Sequence, residues 1–148
     1  MIEKIDVETG WTLNDYANVA VLSNGVRSLR VEASMLVPQL QGRRVIMVNS
    51  AAQGGGVAEM LPRMVTLLRE LGIPTEWYVI GSDEPEFFAL TKRIHNLVHG
   101  EGDPELSSAD RELYEKVNRQ NADELKQDLR PNDILVVHDP QPLALGSM

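Results

Sequence analysis

Apolar residues gather in three short, nearly continuous runs: 44–49 (RVIMVN), 76–80 (EWYVI) and 133–138 (DILVVH). Runs of this length, rich in β-branched residues, predict strands covered on both faces. Between them the spacing changes to helical. Val57, Leu61, Met64, Val65, Leu68 and Leu71 follow i, i+3, i+4 steps, and Gly72 stops the run. A second helix is predicted over 85–100. Pro85 suits its first turn, Phe87, Leu90, Ile94 and Leu97 form its stripe, and Gly100 ends it. GEGDPELSS reads as a loop. A long charged helix follows over 108–129, with Leu113, Val117 and Leu125 inward, Ser107 and Asp110 as a capping pair, and a solvated outer surface. Residues 12–40 read as mostly helical, with Pro38 ending or kinking the last helix. ANVAVLSNG in that stretch is also compatible with a strand.

Strand, helix, strand, helices, strand is a βαβ order, so the class is α/β and the sheet is predicted to be mainly parallel. Doubly wound sheets commonly carry five or six strands, and three runs qualify here. The sequence closes on HDPQPLALGSM, where Leu143 and Leu145 resemble the start of another apolar element and Gly146-Ser147-Met148 a cloning remnant or a chance end. The expectation is a piece of a larger α/β protein.

Composition narrows the chemistry. A net charge of −8 over 148 residues disfavours nucleic-acid phosphates as partners. The absence of cysteine removes disulfides and thiolate metal sites and fits a reducing, cytoplasmic setting. The N-terminus has no apolar signal core, and no apolar run nears the roughly 20 residues of a membrane span.

The candidate chemistry centres on NSAAQGGGVAEML, residues 49–61. Gly54, Gly55 and Gly56 lie between a strand and a helix, where glycine admits close backbone approach and the helix N-terminus offers free N–H groups. This is an anion-site pattern. It is not a P-loop, because no Lys-Ser/Thr follows. It is a poor dinucleotide fingerprint too, because a G-x-G-x-x-G starting at Gly54 would place Glu59 at its last glycine. A tight turn without ligand is the plain alternative, and a nicotinamide-dependent oxidoreductase half, with Asp83 on a ribose, rests on fold pattern alone. Glu59 reads as a helix-dipole cap or as a partner for sugar hydroxyls. His95 and His99 are four apart but have no acidic companion, so no metal site is predicted. Trp77 and Tyr78 alternate along a strand and are expected to pack one on each face.

Four segments in order, VNSAAQGGGVAEML, LGIPTEWYVI, FFALTKRIHNLVHG and VVHDPQPLAL, resemble the N-terminal half of trehalose-forming glycosyltransferases. These are the trehalose glycosyltransferring synthases and related trehalose phosphorylases of retaining glycosyltransferase family four. The resemblance runs from about Leu40 to Leu145. It implies a GT-B architecture, two Rossmann-like domains facing across a cleft. Residues 1–40 would then be a mostly helical segment packed on a three-layer acceptor-side domain, 41–148, truncated before the donor-binding domain. It implies that Gly54, Gly55 and Gly56 sit at the donor phosphate. His138 and Asp139 would touch the transferred sugar as catalytic residues. Glu59, Lys92, His95 and Asn96 would serve the acceptor side. The implied partners are a nucleotide-glucose and glucose or trehalose, with no cofactor and no metal. A non-catalytic sugar-binding or homodimerising module stays open beside this reading, and no turnover is expected of the chain by itself.

Overall fold

The computed structural model describes residues 1–8 and 10–148. Four strands form one sheet in the order β1-β3-β2-β4: β1 Glu3–Ile5, β2 Val45–Asn49, β3 Thr75–Val79 and β4 Ile134–Val137. β2 pairs in parallel with β3 and β4, while β1 runs antiparallel along β3. The three apolar runs are therefore strands, but the sheet is mixed. Glu-Lys-Ile has no apolar run to announce it. It becomes a strand because β3 has a free edge, against which Lys4 also pairs with Glu76 at 3.0 Å.

The described residues also form five helices: α1 Leu13–Ala17, α2 Ser23–Leu36, α3 Gly56–Glu70, α4 Pro85–Val98 and α5 Ser108–Leu125. Pro38 falls in a 3-10 turn, Val37–Leu40, that closes α2. ANVAVLSNG is the turn between α1 and α2 and the start of α2, not a strand. The Ser107–Asp110 capping box opens α5, and the backbone and side-chain bonds to Ser107 hold the Asp110 carboxyl below its ordinary range.

The sheet has a core on each face. Met47, Trp77 and Val79 meet Leu61 and Val65 of α3. Ile46, Val48 and Tyr78 meet Phe87 of α4 and Val117, Ala122 and Leu125 of α5. Trp77 and Tyr78 divide between the faces as strand alternation requires. Leu145, in the 3-10 turn Leu143–Ser147, packs into the second core.

At the N-terminal ends of the parallel strands lies a buried ion-pair network. Arg44, 8% exposed, donates to both carboxylate oxygens of Asp133 at 3.1 and 2.6 Å, to Glu76 at 3.0 Å and to the Asp128 carbonyl at 2.7 Å. The Arg44 hydrogen bonds hold the Asp133 carboxyl below its ordinary value against the opposing effect of burial. At Glu76 burial pushes upward, but hydrogen bonds from Lys4 and Tyr78 and the charges of Lys4 and Arg44 outweigh it. Both groups thus bind fewer protons folded than unfolded. Their stabilisation is complete above the unfolded carboxylate values, about pH 4–4.5, and is lost as pH falls through the lowered folded values. The thermal midpoint is expected to be level down to about pH 5 and to fall below about pH 4, with a flatter acid limb in Asp133→Asn. Equal acid limbs in the two proteins would remove the network from that account.

Candidate functional site

The C-terminal ends of β2 and β4 open into a cleft of about 710 Å³, where open parallel sheets place ligands. Its floor starts at Asn49, the last residue of β2, 1% exposed. Asn49 accepts from Trp77 Nε1 at 2.7 Å and donates to the Ala51 carbonyl at 2.7 Å. A buried carboxamide satisfied at both ends fixes where the chain leaves the strand. The glycine loop follows. Gly54 and Gly55 adopt φ of 78° and 90°, where any other L-residue is strained, and a Cβ on either would point into open space. Gly55 is the N-cap of α3 and brings no side-chain cap. The first turn of α3 therefore has no side-chain cap, and its N–H groups with the helix dipole suit an anion.

α4 forms the opposite wall. Phe88, Lys92 and His95 line the cleft at i, i+4, i+7 spacing. Phe88 is 41% exposed although aromatic, and its ring is held edge-on at 5.3 Å by fully buried Phe87. His95 meets His99 edge-on at 4.6 Å. Asp139, after β4, forms the third side. It holds a left-handed backbone with φ of 70°, uncommon for a residue other than glycine, and Ser50 Oγ donates to its carboxylate at 3.3 Å.

Of the residues singled out in the sequence, Gly54, Gly55, Gly56, Lys92, His95 and Asp139 converge on this cleft. His138, Asn96 and Glu59 stand apart from it. The His138 N–H continues the ladder to the Val48 carbonyl at 2.8 Å, and its Nε2 is buried without a protein partner among the described residues. Asn96 is half-buried, and its carbonyl accepts from the His99 and Glu101 amides at the end of α4. Glu59 points from the first turn of α3 to a neighbouring groove shared with Leu29 and Arg63. Asn49, Phe88 and Gln141 also line the cleft and escaped the sequence reading. The i, i+4, i+7 row of Phe88, Lys92 and His95 was the available signal for Phe88. Among the described residues no group of three or more His, Asp or Glu gathers for a metal, and no helix is long and apolar enough to cross a membrane.

The α/β domain of Rossmann-like layering thus gathers a glycine loop, Lys92 and Asp139 around one cleft. Residues 47–148 match the family described as "Trehalose synthase, N-terminal domain", and the chain belongs to that family. It is 44% identical over 116 residues to a trehalose synthase of Rubrobacter xylanophilus, covering 78% of this chain and 27% of that protein. Against a trehalose synthase of Pyrococcus horikoshii the identity is 46% over 107 residues, 72% of this chain and 25% of that protein. A trehalose phosphorylase of Grifola frondosa is 29% identical over 100 residues, 68% of this chain and 12% of that protein. The chain thus spans about a quarter of the length of the synthases it matches.

Proposed function

We propose that this chain belongs to the N-terminal, acceptor-side domain of a GT-B retaining glycosyltransferase that moves glucose from a nucleotide-sugar to glucose, forming trehalose. Residues 1–40 are the segment packed on it and 41–148 the Rossmann-like domain. The observation that carries this is the uncapped glycine loop facing Lys92 across a cleft of disaccharide size. In such a reaction the diphosphate leaves with negative charge, and backbone N–H groups aimed at it stabilise the transition state more than the ground state. Lys92 adds a point charge on the other wall. Phe88 offers a ring face to the apolar side of a pyranose. Asp139 falls at the transferred sugar and His95 on the acceptor side; for His138, Glu59 and Asn96, which stand apart from the cleft, the same roles rest on the resemblance alone. In this reading a second domain completes the donor site.

The phosphorylase reading has its own support in the similarity to the Grifola frondosa protein. The same loop would then take inorganic phosphate.

The test is a ¹H–¹⁵N titration of the chain with UDP-glucose, inorganic phosphate and trehalose in turn. Shifts are expected at the Gly54–Gly56 amides with UDP-glucose, and at Lys92 and Asp139 with trehalose. Phe88→Ala is expected to weaken trehalose by about 1 kcal/mol, roughly fivefold in Kd, with phosphate unchanged. Phosphate alone moving the loop, as strongly as UDP-glucose, would favour the phosphorylase. No shift at any of these amides at millimolar ligand would sink both readings. Sedimentation velocity on the same samples reads out the homodimer, for which exposed Met35 and Leu36 of α2 supply apolar surface.

A further inference from the structure

The buried stripe of α5 is an unexpected mixture. Beside Val117, Ala122 and Leu125 it holds Asn118 and Asn121, both at most 1% exposed. An apolar side chain would serve a core position better unless the carboxamide is needed for a bond. Each Nδ2 donates to the carbonyl four residues back in α5, Tyr114 for Asn118 and Val117 for Asn121, and each side chain also bonds to a loop at the cleft end of the sheet, while Asn118 Oδ1 is buried without a partner among the described residues. Asn121 grips the backbone of Gly81, after β3, from both sides: its Nδ2 donates to the Gly81 carbonyl at 2.8 Å and its Oδ1 accepts from the Gly81 N–H at 3.0 Å. A Cβ at Gly81 would collide with the Met1 backbone, so this loop is wedged from the other side as well. Asn118 Nδ2 donates to the Gln141 carbonyl at 3.1 Å, and Tyr114 Oη donates to the Pro140 carbonyl at 2.7 Å. Lys116 pairs with Glu84, the N-cap of α4.

One helix therefore sets two walls. Through Gly81 and Glu84 it fixes where α4 begins, and hence where Phe88, Lys92 and His95 stand. Through Pro140 and Gln141 it fixes the turn that carries Asp139. We propose that Tyr114, Asn118 and Asn121 are positioning residues of the sugar cleft, with α5 as the common template for the α4 wall and the Asp139 turn. This rests on the reading of the cleft as a sugar site. None of the three lines the cleft, and none is assigned a chemical role.

Tyr114→Phe removes a hydroxyl and Asn118→Leu replaces a buried amide by an apolar group of similar size, so both should remain folded. Arg119→Gln, on the outer face of α5, is the control. In the two variants the Asp139 and Gln141 amide resonances are expected to move. Hydrogen exchange should quicken roughly fivefold, the worth of one lost hydrogen bond, at His138 and Leu145, with Ile46 and Val48 unchanged. Trehalose Kd should rise about threefold or more while the thermal midpoint holds. Resonances that stay in place, or exchange that quickens equally in the β2 core, would overturn the proposal, the latter because it marks a purely structural role. If the loop signals move but the parent chain binds no trehalose, the sugar reading falls and the control of the loops by α5 stands.

Discussion

Arg44→Ala is expected to destabilise the chain by about 3–5 kcal/mol, read as a lowered midpoint of urea unfolding. The guanidinium bridges three separate pieces of chain: Asp133 before β4, Glu76 in β3 and the Asp128 carbonyl after α5. Its removal leaves Asp133, whose side chain is 5% exposed, without its partner in a poorly solvated site. Stranding a buried charge costs far more than the pair itself contributes, because the desolvation of the survivor is no longer offset. A domain of this size holds roughly 5–15 kcal/mol in total, so the loss takes a large share of it. Arg44→Met combined with Asp133→Leu should recover most of the loss, since neither charge is then stranded. A single variant as stable as the parent, or a double variant worse than the single, would contradict this account.

Gly55→Val is expected to weaken binding of UDP-glucose by about 2–3 kcal/mol, roughly 30- to 150-fold, the worth of one or two charge-assisted hydrogen bonds. The reason is backbone geometry. With φ of 90° and ψ of 159°, Gly55 lies where β-branched residues are excluded. Valine must rotate the peptide planes that present the first N–H groups of α3. It also puts two methyl groups where the structure leaves open space for a ligand. Fold stability should change much less, because residues 52–56 are exposed and carry no core contact. Calorimetric titration beside a thermal melt separates the two effects. Unaltered UDP-glucose affinity in a folded Gly55→Val chain would take the loop out of the donor site.

The parallel strands and the two helices that follow the first two of them were legible because each depends on a local signal: a continuous apolar run, a 3.6-residue stripe, a glycine or proline stop. β1 was not, since its three residues are held by the edge of β3 and not by their own composition. The glycine loop was legible because three adjacent glycines have few other uses. Asp139 and His138 are neighbours in sequence, yet Asp139, which turns at a positive φ, lines the cleft and His138 does not. No pattern of residue types reports such a twist. In α5 the inward Val117 and Leu125 were legible but Asn118 and Asn121 were not, because inward asparagines look like outward ones. Only their pairing with Gly81 and Gln141, 40 and 23 residues away, distinguishes them.

The parallel pairing of β2 with β4 brings together residues 89 apart, Val45 with Ile134. Closing so long a loop is slow, since its entropy is lost before any contact rewards it. The β2–β3 unit, with α3 between, can form from much nearer contacts. The cleft has walls from both sides of that closure, so it is complete only once β4 has joined β2. A ligand seated there would do little to hasten folding. It would act as a latch, slowing the departure of β4 and lengthening the lifetime of the assembled fold.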